Sequence, residues 1–233
     1  MSKVAVICFW YGEWPEDRPE LGSLYVQRLH NSVLRNSLIR PLDFIVFADG
    51  EKYRDKSLLK GMDVLPIPLE YGMLKWNLKK LFMFHPQSGL SKYDWVVCLD
   101  LDMVITGSTD ILLTPWRYGL TTCRGAYQPD QMGGSIVGFD PGSAWCRRLT
   151  ESLHKKRGWW ESQTGGSERK FYRLFFGMDP EMVSYWQDFY PGRILSYKVD
   201  GGSCNGASIV RFHGRPRPHE VSEKCEWVKE NWR

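Results

Sequence analysis

Two aspartates separated by one leucine, Asp100 and Asp102, follow an apolar run that begins at Trp95. In an extended segment, residues i and i+2 project from the same face, so both carboxylates can converge on one point while Leu101 turns back into the core. Carboxylate oxygens suit hard divalent cations, which proteins commonly hold with one or two acids plus phosphate oxygens of a substrate. The spacing predicts a Mg²⁺ or Mn²⁺ site. The alternative is that one acid caps a turn and the other is solvated.

The position of this motif favours the metal site. The run from Trp95 to Leu99 has the length and composition of a strand that is buried on both faces. Both acids then lie at or just past its carboxyl end. Open α/β sheets bind their ligands at that edge.

Strands and helices alternate through the first hundred residues, which indicates a mostly parallel sheet flanked by helices. An amphipathic helix is predicted from Tyr25, Leu29 and Val33, which recur on one face, and it follows a polar, Pro-rich loop over residues 12–21. We predict strands at 4–9, 44–48 and 64–65, and a helix at 74–84 that Pro86 ends.

After residue 105 the pattern becomes mixed α+β. We predict strands at 120–123, 135–139 and 209–212, helices at 144–153 and 168–176, and a final amphipathic helix from about residue 220. Residues 133–135 are predicted to form a turn before their strand, and residues 127–132 and 159–166 to be loops. The expected fold class is a Rossmann-like α/β single domain over residues 1–233.

The net charge and the spacing of the cysteines limit the classes of protein to which this chain can belong. A formal net charge of +4 over 233 residues, without a basic stripe, excludes a nucleic-acid-binding protein and suits an anionic small substrate. The six cysteines show no C-x-x-C spacing, which indicates a reducing compartment. We find no signal-peptide pattern and no run long enough to cross a bilayer, so the expected location is cytoplasmic, without integral membrane contact.

Several segments, in a fixed order, resemble the nucleotide-sugar glycosyltransferases of the GT-A fold, most closely the retaining glycogenin/galactosyltransferase-like group. These segments are Trp10-Tyr11 near the end of the first strand, residues 80–84 of the predicted helix, and the Asp-x-Asp motif at residues 99–102. The others are the Gly-rich segment at residues 133–139, the loop at residues 166–169, and the His- and Arg-containing segment at residues 212–218. The resemblance covers most of the chain. It implies a GT-A domain with a nucleotide-binding half, 1–105, and an acceptor- and sugar-binding half, 106–233.

The resemblance also implies a set of metal ligands. Asp100 and Asp102 anchor Mn²⁺ or Mg²⁺ on the donor diphosphate, and His213, near the carboxyl terminus, supplies a further ligand. A bound metal would offset charge on the departing nucleoside diphosphate. The alternative for His213 is an ordinary surface or hydrogen-bonded histidine.

Arg215 and Arg217 follow Gly214 in a stiff, Pro-interrupted segment, and guanidinium groups bind phosphate oxygens bidentately. The similar enzymes have His-x-x-Gly-x-x-Lys-Pro-Trp here, whereas this chain lacks the two residues between His213 and Gly214 and has Arg217-Pro218-His219. The identity of the phosphate ligand therefore stays open. Both arginines could instead be solvated charges.

The remaining candidate residues are assigned by the same resemblance. Lys80 contacts donor phosphate or sugar hydroxyls, or lies on a solvated face like Lys79. Gly134 and Ser135 lie beside the donor sugar. Glu168 replaces the acid of an Asp-Gln pair that faces the sugar, and is the candidate for stabilising positive charge at the anomeric carbon. The aromatic residues after the first strand, Phe9, Trp10 and Tyr11, face the nucleotide base, although core packing is the alternative for Phe9.

Together these features predict a metal-dependent transferase that moves a hexose from a nucleoside-diphosphate sugar, a UDP-sugar, to a saccharide or other hydroxyl acceptor with retention. Two other functions stay open. One is a nucleotidyltransferase or sugar-phosphate pyrophosphorylase, although the chain lacks a Gly-rich basic segment after the first strand. The other is a non-catalytic carbohydrate-binding protein with the same fold.

Overall fold

The computed structural model describes residues 2–12, 15, 18–115, 119–177 and 179–233. Within these residues the chain alternates strands and helices, as expected for an α/β protein. The strands are β1 (Val4–Trp10), β2 (Leu42–Ala48), β3 (Asp63–Pro66), β4 (Trp95–Leu99), β5 (Met103–Ile105), β6 (Leu120–Arg124), β7 (Met132–Phe139), β8 (Val183–Tyr185), β9 (Ile194–Ser196) and β10 (Ile209–Arg211). Part of the predicted loop 12–21, at residues 13, 14, 16 and 17, lies outside the described residues.

A seven-stranded sheet forms the centre of the molecule, in the order β3-β2-β1-β4-β7-β6-β8. Strands β1 to β4 pair in parallel, β7 is antiparallel to both β4 and β6, and β8 is parallel to β6. The sheet is therefore mostly parallel, which confirms the predicted fold class. The carboxyl ends of β1, β2 and β4 meet at one edge.

Helices cover both faces of this sheet. They are α1 (Gly22–Arg35), α2 (Gly50–Arg54), α3 (Leu69–Gly72), α4 (Asp110–Leu113), α5 (Ala144–Lys155), α6 (Arg157–Thr164), α7 (Glu168–Phe176), α8 (Trp186–Phe189), α9 (Pro218–Val221) and α10 (Glu226–Asn231), with shorter 3₁₀ turns between them. Strand β1 is buried along its whole length, and its side chains alternate between two apolar clusters. One cluster includes Tyr25, Leu29 and Val33 of α1, as their spacing predicts.

The helix predicted at 74–84 is a 3₁₀ helix, Trp76–Phe84, and not an α-helix. Its buried side chains, at position 78 and at every position from 80 to 84, surround the axis. A pattern of 3.6 residues per turn does not describe such a segment, because a 3₁₀ helix repeats every three residues. The helix ends before Pro86, as predicted.

The apolar run that starts at Trp95 is divided between two sheets. Strand β4 ends at Leu99, the chain bends through residues 100–102, and β5 then joins a small sheet of order β5-β10-β9. The two acids thus lie just past the carboxyl end of β4, as predicted. They lie in a bend, however, and not in an extended segment.

Three local predictions are wrong. Residues 133–135 belong to β7 and do not form a turn, residues 157–164 form helix α6 and not a loop, and the single final helix is replaced by α9 and α10. Glycine is needed in β7 because a Cβ at Gly133 would lie 2.7 Å from the Cys123 sulfur. Neighbouring elements, and not local sequence, therefore determine the conformation there.

All six cysteines are free thiols in the structure. Among the described residues, no helix combines the length and apolar character that crossing a bilayer requires.

Candidate functional site

A cavity of about 410 Å³ opens at the carboxyl edge of β1 and β4. Its walls come from the end of β1, the start of the 3₁₀ helix and the bend after β4. The lining residues are Phe9, Tyr11, Gly12, Leu74, Trp76, Asn77, Lys79, Lys80, Asp100, Leu101 and Asp102. Several of the residues predicted for the site therefore line one cavity.

The backbone of the Asp-x-Asp bend is fixed from two directions. Asp100 N–H donates to the Ser135 carbonyl of β7 at 2.9 Å, and Phe212 N–H donates to the Asp102 carbonyl at 2.8 Å. Leu101 is buried between the two acids, as predicted. Ser135 thus reaches the site through its carbonyl, and the 212–213 segment runs beside Asp102.

Lys80 is the central cation of the site. Its Nζ donates to Asp100 Oδ1 and lies 3.6 Å from Glu168 Oε1, while its side chain is only 8% exposed. Burial alone would lower the pKa of Lys80, but Asp100 and Glu168 outweigh it and hold the pKa well above its ordinary value. The ammonium therefore joins the Asp-x-Asp motif to the acid of α7, and is not the solvated lysine of the alternative interpretation.

Burial disfavours the ionised form of both aspartates, and a neighbouring carboxylate adds to this effect at each of them. Burial raises the pKa of Asp102 to about 7, with Asp100 adding to the shift and Lys80 and Arg217 opposing it. Burial also raises the pKa of Asp100, although Lys80 opposes this. A divalent cation beside these carboxylates would supply the missing positive charge, so the donor set fits Mg²⁺ or Mn²⁺.

A third protein ligand is not in place around the aspartates. Among the residues that the structure describes, no three His, Cys, Asp or Glu side chains lie close enough together to hold a metal. His213 Nε2 instead forms a 2.6 Å hydrogen bond with Ser196 Oγ, and the His213 ring packs edge-on against Tyr127. Burial and the nearby cations Arg211, Lys198 and Arg169 lower the pKa of His213.

Glu168 is the first residue of α7, whose start is capped by Ser167 Oγ accepting from Lys170 N–H at 3.4 Å. Its side chain is buried, with a carboxylate oxygen 2.5 Å from where a Cβ on Gly134 would lie. Gly134 therefore provides the space that Glu168 occupies. Gly134 and Glu168, which were each predicted to lie near the donor sugar, are in contact.

The aromatic residues after the first strand point to opposite faces of the sheet. Phe9 and Tyr11 line the cavity, and Tyr11 Oη donates to Asn77 Oδ1 at 2.6 Å. Trp10 is buried in the core on the other face, beneath Lys52. Trp10 is thus not part of this cavity, because side chains of a strand alternate.

The arginines near the carboxyl terminus are held by the chain itself. Arg215 Nη1 donates to Glu220 Oε1 at 2.7 Å, and Arg217 N–H donates to Glu220 Oε2 at 2.6 Å. The Arg217 side chain is buried, whereas that of Arg215 is 62% exposed. Gly214 adopts a left-handed φ of 70°. These residues lie near the site but do not line the cavity.

Sequence reasoning did not identify Asn77 and Trp76, and it grouped Lys79 with solvated lysines. Lys79 lies over the Tyr11 ring with its Nζ 3.9 Å from Asp49 Oδ2. A 3₁₀ helix places residues i and i+3 on one side, so Asn77 and Lys80 share a face. A three-residue period in this segment would have revealed Asn77.

No family model and no curated protein matches this sequence. Solved structures that share its fold include two glycosyltransferases. The galactosyltransferase LgtC, in complex with donor and acceptor sugar analogues, superposes with a TM-score of 0.64 at 11% identity, over 97% of this chain and 93% of LgtC. The bifunctional glycosyltransferase WbbM, in its apo form, superposes with a TM-score of 0.66 at 12% identity, over 99% of this chain and 51% of WbbM. This chain therefore spans about half the length of WbbM. At these identities the likeness establishes the GT-A fold.

Proposed function

We propose that this protein is a glycosyltransferase that moves a hexose from a UDP-sugar to a hydroxyl group of an acceptor, with retention of anomeric configuration. One observation carries the proposal: Asp100, Asp102 and Lys80 converge with an aromatic wall in one cavity at the carboxyl edge of a GT-A sheet. LgtC holds donor and acceptor sugar analogues on this fold. Retention rests on the resemblance of residues 212–218 to the retaining group.

In this proposal the two halves of the chain bind different parts of the substrates. Residues 1–105 bind the nucleotide, with Phe9 and Tyr11 as the wall that faces the base. Residues 106–233 bind the sugar and the acceptor. Arg215 would bind a donor phosphate by exchanging its bond to Glu220 for it, and Arg217, whose side chain is buried outside the cavity, would add positive charge nearby.

Asp100 and Asp102 would hold Mn²⁺ or Mg²⁺ in this enzyme, and His213 would become a further ligand by exchanging its hydrogen bond to Ser196 for the metal. When bound, the cation offsets the negative charge that develops on the departing nucleoside diphosphate. Lys80 keeps the Asp100 carboxylate in place through a buried ion pair. Glu168 places a negative charge near the sugar, where it stabilises positive charge at the anomeric carbon.

The direct test is turnover of a panel of UDP-sugars with Mn²⁺, measured as UDP release with and without simple sugar acceptors. Asp100→Asn and Asp102→Asn should each lower kcat at least about 100-fold, because the lost charge stabilisation is worth several kcal/mol. Asp55→Asn, which changes an exposed acid that does not line the cavity, should keep full activity. Circular dichroism checks the fold of each variant.

Other outcomes would contradict the proposal. Full activity in either aspartate variant would remove the catalytic role of the Asp-x-Asp motif. Pyrophosphate release from a nucleoside triphosphate would indicate a nucleotidyltransferase, and sugar binding without any turnover would indicate a non-catalytic protein. The anomeric coupling constant of the product, measured by NMR, tests retention.

A further inference from the structure

A second cavity, of about 220 Å³, lies between the segment that precedes β7 and the start of α7. It is lined by Gln128, Gln131, Met132, Ser167, Arg169, Lys170 and Arg173. We call it the basic pocket. Three of its seven lining residues are cationic and none is acidic, so the pocket favours an anion.

The cations of the basic pocket converge because of their spacing on α7. Lys170 and Arg173 are three residues apart and therefore neighbours on one face of the helix. Arg173 Nη1 donates to Gln131 Oε1 at 3.3 Å, which ties the helix to the opposite wall. Arg169, Lys170 and Arg173 are all exposed to solvent, so a ligand can reach them.

The acid nearest to the basic pocket does not neutralise it. Glu168 precedes Arg169 in sequence, but its carboxylate points inward, to Lys80 and beneath Gly134. The Arg169 side chain packs on the outer side of this contact, with its Cγ 3.1 Å from where a Cβ on Gly134 would lie. Arg169 therefore borders both the basic pocket and the active site, where its charge also acts on Asp100 and His213.

The sheet order places the basic pocket away from the aromatic wall of the first cavity. Strand β4, which ends before Asp100, lies between β1 and β7. The base wall of Phe9 and Tyr11 follows β1, whereas the basic pocket adjoins the start of β7, across β4. A ligand group in the basic pocket is therefore separated from the base by the metal-binding acids.

We propose that the basic pocket binds an anionic substituent, a phosphate or carboxylate, of the acceptor saccharide. This inference rests on the proposed function, because it assigns the pocket to the acceptor of that reaction. Arg169, Lys170 and Arg173 hold the anion, and Gln128 and Gln131 offer side-chain amide donors. The acceptor is then chosen by charge as well as by shape.

The test compares acceptors that differ only at C6, where two of them carry an anionic group: glucose, glucose 6-phosphate and glucuronate, each with the active UDP-sugar. We expect kcat/KM for at least one anionic acceptor to exceed that for glucose by about tenfold or more, as a charge-assisted contact provides. The double variant Lys170→Gln/Arg173→Gln should remove this advantage and leave the donor KM unchanged. The matched control, Lys155→Gln/Lys156→Gln, removes two exposed lysines at the end of α5 and should keep the advantage.

A binding measurement without donor separates this inference from the proposed function. Glucose 6-phosphate, titrated by calorimetry in the absence of metal and nucleotide, should bind the wild type more tightly than the Lys170→Gln/Arg173→Gln variant. Binding of this kind by a protein that turns over no donor would overturn the proposed function and keep the anion site. Donor turnover with equal use of neutral and anionic acceptors would overturn the anion site and keep the proposed function. A rise in donor KM in the double variant, with acceptor preference unchanged, would reassign the pocket to the donor phosphates and overturn the inference.

Discussion

Replacing Lys80 with methionine should destabilise the protein strongly, because it removes the cation that two buried acids share. Methionine keeps most of the volume of the lysine stem but not its charge. In the native structure Lys80 Nζ contacts Asp100 and lies 3.6 Å from Glu168, whose side chain is 5% exposed. After the change both carboxylates would be buried without that partner.

The size of the effect follows from the burial of the pair. Breaking a buried ion pair by removing one partner costs about 3–5 kcal/mol. Because the Asp100 side chain is 26% exposed, we expect the lower end, about 3 kcal/mol. In a chain of this length each kcal/mol lowers Tm by about 2–4 °C, so the variant should melt about 6–12 °C below the wild type.

The neighbouring lysine offers a matched control. Lys79→Met removes the same charge at a position where Nζ lies 3.9 Å from Asp49, in a pair with 19% and 17% exposed side chains and no second acid. We expect a loss of about 1 kcal/mol, smaller than for Lys80, because the one contact is at the 4 Å limit of an ion pair. Urea unfolding, followed by circular dichroism, measures both variants.

A double variant tests whether the loss of stability comes from the unpaired charges of Asp100 and Glu168. Adding Glu168→Gln to Lys80→Met removes one of the two uncompensated charges, so the double variant should be more stable than the sum of the single changes predicts, by about 1 kcal/mol. Strict additivity, or an equal loss in Lys79→Met and Lys80→Met, would refute the idea that Lys80 is shared between the two acids.

Three further predictions concern the space, strain and titration of single residues. Gly134→Ala should lower activity at least about tenfold, because the new Cβ would push on Glu168, and a fully active variant in steady-state kinetics would contradict this packing. The control Gly158→Ala lies in open space within α6 and should raise stability by about 1 kcal/mol, as measured by urea unfolding. Trp76 has a φ of 46° and a 73% exposed side chain on the cavity wall. Trp76→Gly should therefore relieve about 1 kcal/mol of backbone strain and raise the donor KM about tenfold. A lower Tm with an unchanged KM would contradict both the strain and the donor contact. Burial lowers the pKa of His85, so the unfolded chain binds a proton at this residue more readily, and stability falls as the pH drops below about 6.5. The difference in Tm between pH 7.5 and pH 5.5 should be smaller in His85→Gln than in the wild type. An unchanged difference would contradict this contribution of His85.

The strands of the central sheet could be predicted because continuous apolar runs mark strands that are buried on both faces. Strands β1, β2 and β4 are such runs, and their order along the chain fixes the edge where Asp100 and Asp102 lie. The same rule of alternation places Phe9 and Tyr11 on one face and Trp10 on the other. The prediction placed all three residues at the base and gave core packing as the alternative for Phe9, so it did not apply this alternation, which assigns Trp10 to the core.

The remainder of the site depends on contacts between distant segments. Residues 133–135 contain glycines that are typical of turns, yet they lie in β7. Glycine is present there because a Cβ would collide with the side chain of Cys123 or Glu168. The 3₁₀ helix Trp76–Phe84 is buried nearly all round, so its hydrophobic pattern does not reveal its pitch. The basic pocket joins residue 128 to residue 173, a pairing that no local pattern contains.

The central claim is that Asp100 and Asp102 together hold a divalent cation on a nucleoside diphosphate. Anomalous diffraction at the manganese edge, from crystals soaked with Mn²⁺ and UDP, tests it most directly. The account predicts an anomalous peak between the two carboxylates and the diphosphate, and its loss in Asp102→Asn. A diphosphate bound in the cavity with no manganese peak beside either aspartate would contradict the account.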